Sequence, residues 1–411
     1  MPNSADASAQ AAPSAVVDGT VAPGFDGVRD AFAANFSQYG DKGASFALYV
    51  DGELKVDLWG GVADVATGKP WTRDTVSLMY SATKGATAIL GSLLAQEGLI
   101  DLDAPVAQYW PEFAASGKQD VPVRYFFTHR TGLPYLAEKI SREEIIDGRR
   151  IVEILQDQQP LWEPGTAFGY HALTYGWLIG AVVKKATGQS LGQLFQEKVA
   201  VPLGLDLWIG LPDGEQGRVA ALVDAPPPDP AALAAITDES ILARLRALGA
   251  AMADPNSTFS RTLSTNGALP TPNAEAWNDP RIWASEMPAA NGISNGRALA
   301  KMYAATLGEI DGVRLLSEQT LAAATREQVS GKDAILQSPS RFATGFALPR
   351  EGLAMLSPAS FGHQGAGGAL GFADKEAKVA FGYVQNQLGG GPLGDPRTIG
   401  LIAAVRDALA A

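Results

Sequence analysis

The chain has no cysteine and only three histidines among its 411 residues. The lack of cysteine excludes disulfides, thiolate nucleophiles, iron–sulfur clusters and cysteine-ligated zinc. The histidines, His129, His171 and His363, do not have HxH or HExxH spacing, which the common histidine metal sites require. We therefore expect a protein that uses neither a metal nor another cofactor.

Positive charge is also scarce, because 32 Lys and Arg residues face 44 Asp and Glu residues, for a formal net charge of −12. Such a chain is not drawn to nucleic acid or to an anionic membrane by long-range electrostatics. No apolar run approaches the roughly 18 residues that span a bilayer. The first 20 residues have neither the basic region nor the apolar core of a secretory signal. We read residues 1–20 as a flexible leader and expect a cytoplasmic protein, a monomer or small homo-oligomer, with a small-molecule partner.

Hydrophobic residues make up 46% of the chain and charged residues 18%. A chain of this length and composition can form a large core without disulfides or structural metal ions. Strand-like runs occur near the start, at 45–50 (SFALYV) and 54–62, and the Asp51-Gly52 pair between them is a strong hairpin signal. They return near the end, from Arg341 (RFATGFAL) through SFGHQG, ALGFAD and KVAFGYVQN, before a final helix from Pro396.

The stretch 101–287 is mostly helix and loop in its pattern. Strands at both ends and helices between them predict an α/β (α+β) fold with a mainly antiparallel sheet flanked by helices. One domain would comprise residues 21–100 and 288–411, and a mostly helical domain would be inserted at 101–287.

The first chemical motif is Ser81-Ala82-Thr83-Lys84, which opens an apolar helix. Residues three apart share a helix face, so the lysine amine would lie one turn from the serine hydroxyl. An amine with a lowered pKa can remove the serine proton and make the hydroxyl a nucleophile. A chain of this composition is expected to contain one SxxK by chance, so the motif acquires weight only from its context.

Two further motifs supply that context. Trp162-Glu163-Pro164-Gly165 leads to Tyr170, which would act as a general base if a neighbouring cation favoured the phenolate; the alternative is a core aromatic at a helix entrance. The run 361–368 (FGHQGAGG) has glycines that allow close backbone approach to a ligand. An ordinary tight hairpin would explain those glycines equally well.

Together these motifs resemble the serine β-lactamase and penicillin-binding protein superfamily, and within it the family VIII carboxylesterases, which look like class C β-lactamases. Their order and spacing match, as do VRYFFTHRTGLP at 123–134 and LGFAD at 370–374. The resemblance implies a β-lactamase-like fold with the active site between the two domains. It also implies that Ser81 is the acylated nucleophile and that Lys84 and Tyr170 transfer protons. The N–H groups of Ser81 and Ala366 would form the oxyanion hole. His363 and Gly365 would make further contacts with the substrate.

Two departures from the β-lactamase pattern bear on substrate. Residues 170–172 are Tyr-His-Ala where β-lactamases carry Tyr-x-Asn, and 363–365 are His-Gln-Gly where they carry Lys-Thr-Gly. A neutral imidazole binds an anion less well than a permanent cation does. We therefore expect a carboxylesterase for short-chain neutral esters. A β-lactamase, a D-peptidase or amidase, an acyltransferase and a slow-turnover penicillin-binding protein are alternatives.

A competing motif is the GxSxG at 188–192, which matches the nucleophile elbow of α/β-hydrolases. An elbow must follow a strand, whereas the residues before Ser190 have a helical pattern. Gln193 lies three residues after Ser190, as in a capping box. We expect Ser190 to cap a helix.

Overall fold

The computed structural model describes residues 16–226, 236–390 and 394–411. Its strands, in chain order, are β1 (Val17–Val21), β2 (Gly43–Val50), β3 (Glu53–Asp64), β4 (Lys69–Pro70), β5 (Ser77–Leu78), β6 (Leu207–Trp208), β7 (Ile293–Ser294), β8 (Val329–Lys332), β9 (Pro339–Phe342), β10 (Ser360–Gln364), β11 (Leu370–Asp374) and β12 (Val379–Gln385).

The helices fall mostly between β5 and β8. They are α1 (Asp26–Gln38), α2 (Thr83–Gln96), α3 (Arg124–Phe127), α4 (Arg142–Asp147), α5 (Arg149–Asp157), α6 (Thr174–Thr187), α7 (Leu191–Phe195), α8 (Val201–Leu203), α9 (Glu239–Ala253), α10 (Thr258–Ser264), α11 (Ala274–Trp277), α12 (Pro280–Ala284), α13 (Gly296–Leu307), α14 (Glu318–Ala324) and α15 (Pro396–Ala410). Short 3₁₀ segments lie at Tyr80–Ala82, Val106–Gln108, Pro111–Gly117 and Asp213–Arg218, and a π-helical turn at Gln196–Ala200.

The main sheet has the order β1-β3-β2-β12-β11-β10, with β4 on β3, and its pairings are antiparallel. The β2–β3 hairpin turns at Asp51 and Gly52, whose φ angles are +49° and +82°. Such left-handed angles suit a two-residue hairpin turn, so the Asp-Gly signal is confirmed. Two small sheets, β5-β7-β6 and β8-β9, lie beside the main one.

Helices cover both faces of the main sheet. Ser45 and Phe46 are adjacent in β2 and therefore point to opposite faces. Phe46 packs against Phe32 of α1, with ring centroids 6.4 Å apart, while the Ser45 hydroxyl accepts a hydrogen bond of 2.9 Å from the N–H of Gly296 at the start of α13. Because β2 pairs with β12, strands from both ends of the chain build one core. The predicted mixed fold with an antiparallel sheet flanked by helices is confirmed.

Two expectations from the sequence need correction. The leader was expected over residues 1–20; residues 1–15 lie outside the described part, but residues 17–20 belong to β1, which hydrogen-bonds to β3. The strand expected from Arg341 ends at Phe342, because the chain turns there: Gly345 has a φ of +81° and the N–H of Ala343 bonds to the carbonyl of Phe346. The predicted domain boundaries stay a prediction.

Candidate active site

Ser81 lies at a sharp junction between a strand and a helix. Strand β5 pairs with β7, the 3₁₀ turn Tyr80–Ala82 follows, and α2 begins at Thr83. Tyr80 has a left-handed φ of +42°, an unusual backbone conformation for a large side chain. This turn leaves Ser81 half-buried at the start of α2.

Lys84 is fully buried, with 0% of its surface exposed. Its Nζ lies 2.7 Å from the carbonyl oxygen of Ala172, 2.9 Å from that of Ala289 and 3.2 Å from the Oγ of Ser81. Burial holds the pKa of Lys84 well below the usual lysine range, because the charged form loses its hydration. A neutral amine has two N–H groups, which the two carbonyls accept, so its lone pair remains for the Ser81 hydroxyl.

Tyr170 completes this cluster. The Ser81 side chain interacts with its hydroxyl, and the Nζ of Lys84 lies 4.9 Å from the centre of its ring. Burial raises the pKa of Tyr170 above the ordinary value, and the interaction with Ser81 opposes this only in part. The expectation that a cation would favour the phenolate is wrong for the resting site, because both Lys84 and Tyr170 are driven toward their neutral forms.

The glycine-bearing strand β10 brings its end against the Ser81 turn. A Cβ at Gly365 would lie only 2.1 Å from the carbonyl oxygen of Met79, so the position admits no side chain. Ala366 follows and lines the same cavity as Ser81. Within the described residues the N–H of Ala366 has no hydrogen-bond acceptor, which leaves it available to an oxyanion.

His363 is 97% buried in β10, and its ring centroid lies 6.1 Å from that of Tyr170. Its Nδ1 lies 2.7 Å from the carbonyl oxygen of Gln364 and must carry a proton to bond there. Its buried Nε2 has no partner in the described part of the chain. Burial lowers the pKa of His363 to about 3, so the ring is neutral and offers a lone pair, not a cation.

The other two histidines hold the Tyr170 segment in place. The N–H of His171 donates to the Nδ1 of His129 over 3.1 Å. The Nε2 of His171 accepts from the N–H of Leu133, 3.1 Å away, and its Nδ1 lies 2.6 Å from the carbonyl of Gly169. Both rings are buried and neutral, because burial lowers the pKa of each. These two histidines therefore have a structural role.

Asp333 is a residue of this site that the sequence interpretation missed. Its fully buried carboxylate accepts the N–H of Tyr170 through both oxygens, at 3.1 and 3.0 Å. It also accepts the N–H groups of Ile335 and Leu336, each at 2.8 Å. In the sequence this aspartate is one polar residue in a loop, and no local signal marks its contact with a segment 163 positions away.

A cavity of about 1010 Å³ opens onto Ser81 and Tyr170. Its walls are mainly apolar, and α9, α10 and the loops around β9 contribute to them; side chains on the walls include Leu248, Phe259, Ile335, Phe342 and Leu353. This volume is at the upper end of the range of small-molecule pockets. Such a cavity suits an organic substrate whose reacting carbonyl lies at Ser81.

Ser190 is a helix cap, as predicted. It lies between α6 and α7, its side chain accepts the N–H of Gln193, and its N–H donates to the Gln193 side chain at 3.0 Å. Its hydroxyl donates to the Glu286 carboxylate. No strand precedes it, so the geometry of a nucleophile elbow is missing.

The described part of the chain has neither a metal-binding cluster nor a membrane-spanning helix. In residues 16–226, 236–390 and 394–411, no group of three or more His, Asp or Glu side chains is arranged to hold a metal ion. No helix in those ranges combines the length and hydropathy needed to cross a bilayer.

Comparison with known proteins identifies relatives along most of the chain. The Beta-lactamase family model matches residues 29–405. The esterase/beta-lactamase LipL of Mycobacterium tuberculosis is 37% identical over 381 residues, which are 90% of this chain and 83% of LipL. A crystal structure of a family VIII carboxylesterase is 40% identical with a TM-score of 0.83, covering 96% of this chain and 100% of that one. A penicillin-binding protein homologue from Caulobacter crescentus is 32% identical with a TM-score of 0.78, covering 96% and 100%.

Proposed function

The chain belongs to the beta-lactamase family, and from this premise we propose that it is a carboxylesterase that forms an acyl-enzyme on Ser81. The observation that carries the proposal is the Nζ of Lys84, which lies 3.2 Å from the Ser81 oxygen with both remaining neighbours being carbonyl acceptors. Burial lowers the pKa of this amine, which favours the neutral form that can accept the serine proton. The likeness to a family VIII carboxylesterase and to LipL supports ester substrates.

Acylation begins when the Oγ of Ser81 attacks the ester carbonyl and its proton passes to the Lys84 amine. The carbonyl oxygen becomes an oxyanion, which the N–H groups of Ser81 and Ala366 stabilise. The neutral phenol of Tyr170 gives its proton to the departing alkoxide, and the Lys84 ammonium returns a proton to Tyr170. The alcohol leaves, and Lys84 is again a neutral amine.

Deacylation reverses these transfers with water in place of the alcohol. The Lys84–Tyr170 pair accepts a proton from water as its oxygen attacks the acyl carbonyl. The tetrahedral intermediate then expels the Oγ of Ser81, which regains a proton from the same pair. The products are a carboxylic acid and the free enzyme. The ring of His363 lies near Tyr170, and its Nε2, which has no partner in the described residues, can accept a hydrogen bond.

The proposal is tested by hydrolysis of p-nitrophenyl acetate and butyrate by wild type, Ser81→Ala and Ser190→Ala. We expect Ser81→Ala to lose at least about 10³-fold in kcat, as for other hydrolase nucleophiles. Ser190→Ala is the matched control, because that serine caps a helix, and it should keep wild-type turnover. Activity lost in Ser190→Ala and kept in Ser81→Ala would contradict both the site and the mechanism.

A slow-turnover penicillin-binding protein is the second candidate, because the chain is also 32% identical to the Caulobacter homologue. Nitrocefin hydrolysis and penicillin labelling of Ser81, measured beside the esters, separate the two. Fast ester turnover supports the esterase. Stable penicillin labelling of Ser81 without turnover of either ester would favour the binding protein.

A further inference from the structure

Arg350 brings a positive charge into the wall of the cavity. It begins a tight turn in which Arg350 and Leu353 exchange backbone hydrogen bonds of 3.2 and 3.0 Å. Arg350 lines the same cavity as Ser81 and Tyr170. Its positive charge also acts on Tyr170 and His363. It lowers the pKa of Tyr170 by less than burial raises it. It lowers the pKa of His363 by less than burial and Lys84 do.

This guanidinium has unused donors. Its Nη1 donates to the backbone carbonyl of Glu351 over 2.8 Å. Its Nε is buried and has no partner among the described residues. No carboxylate in the described part of the chain lies within 4.0 Å of it. Arginine does not lose its proton in proteins, so an unpaired cation faces the cavity.

The acidic groups nearby are already engaged. The Asp333 carboxylate attracts Arg350 through space, but it has no hydrogen bond or ion pair with the guanidinium, and its oxygens accept N–H groups from Tyr170, Ile335 and Leu336. Asp395, which also lines the cavity, is paired with Arg397. The Glu351 carboxylate lies 3.5 Å from Arg244, the other arginine of the cavity wall. No carboxylate in the described part of the chain contacts Arg350 directly, so its remaining N–H donors are left for a ligand.

An unpaired charge against apolar walls is costly unless a partner with the opposite charge compensates it. A guanidinium is suited to a carboxylate, because two of its N–H groups can bond both oxygens at once. We propose that Arg350 binds a carboxylate of the substrate, so that the preferred esters of this protein carry a negative charge on the part that fills the cavity. The inference rests on the proposed esterase function. It revises the expectation of neutral esters, because Arg350 supplies a cation that residues 363–365 lack.

Matched pairs of esters test the inference. Mono-4-nitrophenyl adipate and 4-nitrophenyl hexanoate have acyl chains of equal length, charged and neutral. 4-Acetoxybenzoate and phenyl acetate form the second pair. Both are acetate esters, and only the first carries a carboxylate on its alcohol part. Each is assayed with wild type, Arg350→Gln, Arg350→Lys and Arg244→Gln, after subtraction of spontaneous hydrolysis.

We expect wild type to prefer the charged member of at least one pair, and that pair identifies the side on which the carboxylate lies. Arg350→Gln should lower kcat/KM for that charged ester about 10- to 100-fold, the range for hydrogen bonds to a charged group, and change the neutral ester less than about twofold. Arg350→Lys should keep part of the preference. Arg244→Gln should keep nearly all of it, because that side chain is paired with Glu351.

Equal losses on charged and neutral esters, or equal losses in Arg244→Gln and Arg350→Gln, would overturn the assignment. A second measurement needs no variant: rising salt should reduce the wild-type preference for the charged ester, since screening weakens the attraction, and a preference independent of salt would count against it. Wild type that hydrolyses neither neutral ester nor its charged partner refutes the esterase itself. Hydrolysis of neutral esters without a charge preference refutes only the role of Arg350.

Discussion

At the scale of single residues, the chemistry depends on the protonation state of Lys84. Its Nζ has two carbonyl neighbours and one hydroxyl neighbour, and burial disfavours its ammonium form. A base is active when deprotonated, so activity should rise as pH increases through the lowered pKa of Lys84. Burial also raises the pKa of Tyr170, and its phenol should stay protonated through the ordinary tyrosine range.

We predict a pH profile of kcat/KM for p-nitrophenyl butyrate with one ascending limb, complete well below the usual lysine pKa, and no descent near pH 10 from Tyr170. Lys84→Arg should lower kcat by about 10²- to 10⁴-fold, the usual contribution of a general base, because a guanidinium cannot accept the serine proton.

Lys118→Arg is the control for this prediction. Lys118 is the other fully buried lysine of the described chain, and burial lowers its pKa to about 8. It bonds to the carbonyl of Gln158, away from Ser81. The ascending limb of the pH profile should be unchanged in Lys118→Arg. A shift of that limb in this variant would mean that the profile reports the titration of a structural lysine.

At the scale of elements, the site depends on two segments that meet at Asp333. The loop between β8 and β9 supplies the carboxylate, and the segment before α6 supplies the Tyr170 N–H. One aspartate thus fixes both the loop that walls the cavity and the backbone of Tyr170, the tyrosine proposed to transfer protons. Burial without a contacting cation raises the pKa of Asp333, and its four hydrogen-bond contacts with backbone N–H groups oppose the rise.

We predict that Asp333→Asn destabilises the protein by about 1–3 kcal/mol, because the amide turns an N–H donor toward other donors and leaves a buried group unsatisfied. Because the Tyr170 backbone would lose its contact with Asp333, Tyr170 should shift, and kcat for p-nitrophenyl butyrate should fall about tenfold or more with little change in KM. Urea unfolding and steady-state kinetics measure the two effects. Asp101→Asn removes an exposed carboxylate that bonds only to the N–H of Asp103, and should change stability by less than about 0.5 kcal/mol. Wild-type kcat in Asp333→Asn would show that Tyr170 needs no such support.

Elements with strong local signals were predictable from the sequence. The Asp51-Gly52 turn, the capping box at Ser190 and the final helix from Pro396 depend on residues that are neighbours in the chain. The proximity of Ser81 and Lys84 likewise follows from helical spacing. Local chemistry decides these features, so the sequence contains them directly.

Features that depend on distant contacts were not predictable. The strand pattern after Arg341 continues past Phe342, yet the chain turns to pack elsewhere. Asp333 and Arg350 have no motif around them, because one is defined by the distant Tyr170 backbone and the other by an unpaired position in a cavity wall. The neutral state of Tyr170 follows from burial, which the notion of a nearby cation overlooked.

At the scale of the whole molecule, Arg397 links residues from the start and the end of the chain to the candidate site. This residue of α15 is 3% exposed and pairs with the fully buried Asp41, 2.6 Å away, between α1 and β2. Its Nη2 also donates to the carbonyl of Gly367 at 2.6 Å, next to Ala366. The segment proposed to bind the oxyanion is therefore held by an ion pair between α15 and the loop that precedes β2.

We predict that Arg397→Met destabilises the protein by about 3–5 kcal/mol, because removing one partner leaves a buried, uncompensated carboxylate. The double variant Asp41→Asn/Arg397→Met should recover part of that loss, since the charge is removed as well. Urea unfolding curves of the two variants and wild type give the comparison. A single variant as stable as wild type would mean that Asp41 is protonated, or hydrated, in the folded state.

The pairing of β2 with β12 has a consequence for biosynthesis. The N–H of Gly43 bonds to the side chain of Asn386, 343 positions later, so the ribosome makes one side of the sheet long before the other. The β2–β3 hairpin leaves the exit tunnel first and exposes a bare edge, the kind of surface that templates aggregation. Until β12 emerges, the edge of β2 has no strand partner in the main sheet, so we expect a chain truncated before β12 to aggregate rather than to fold.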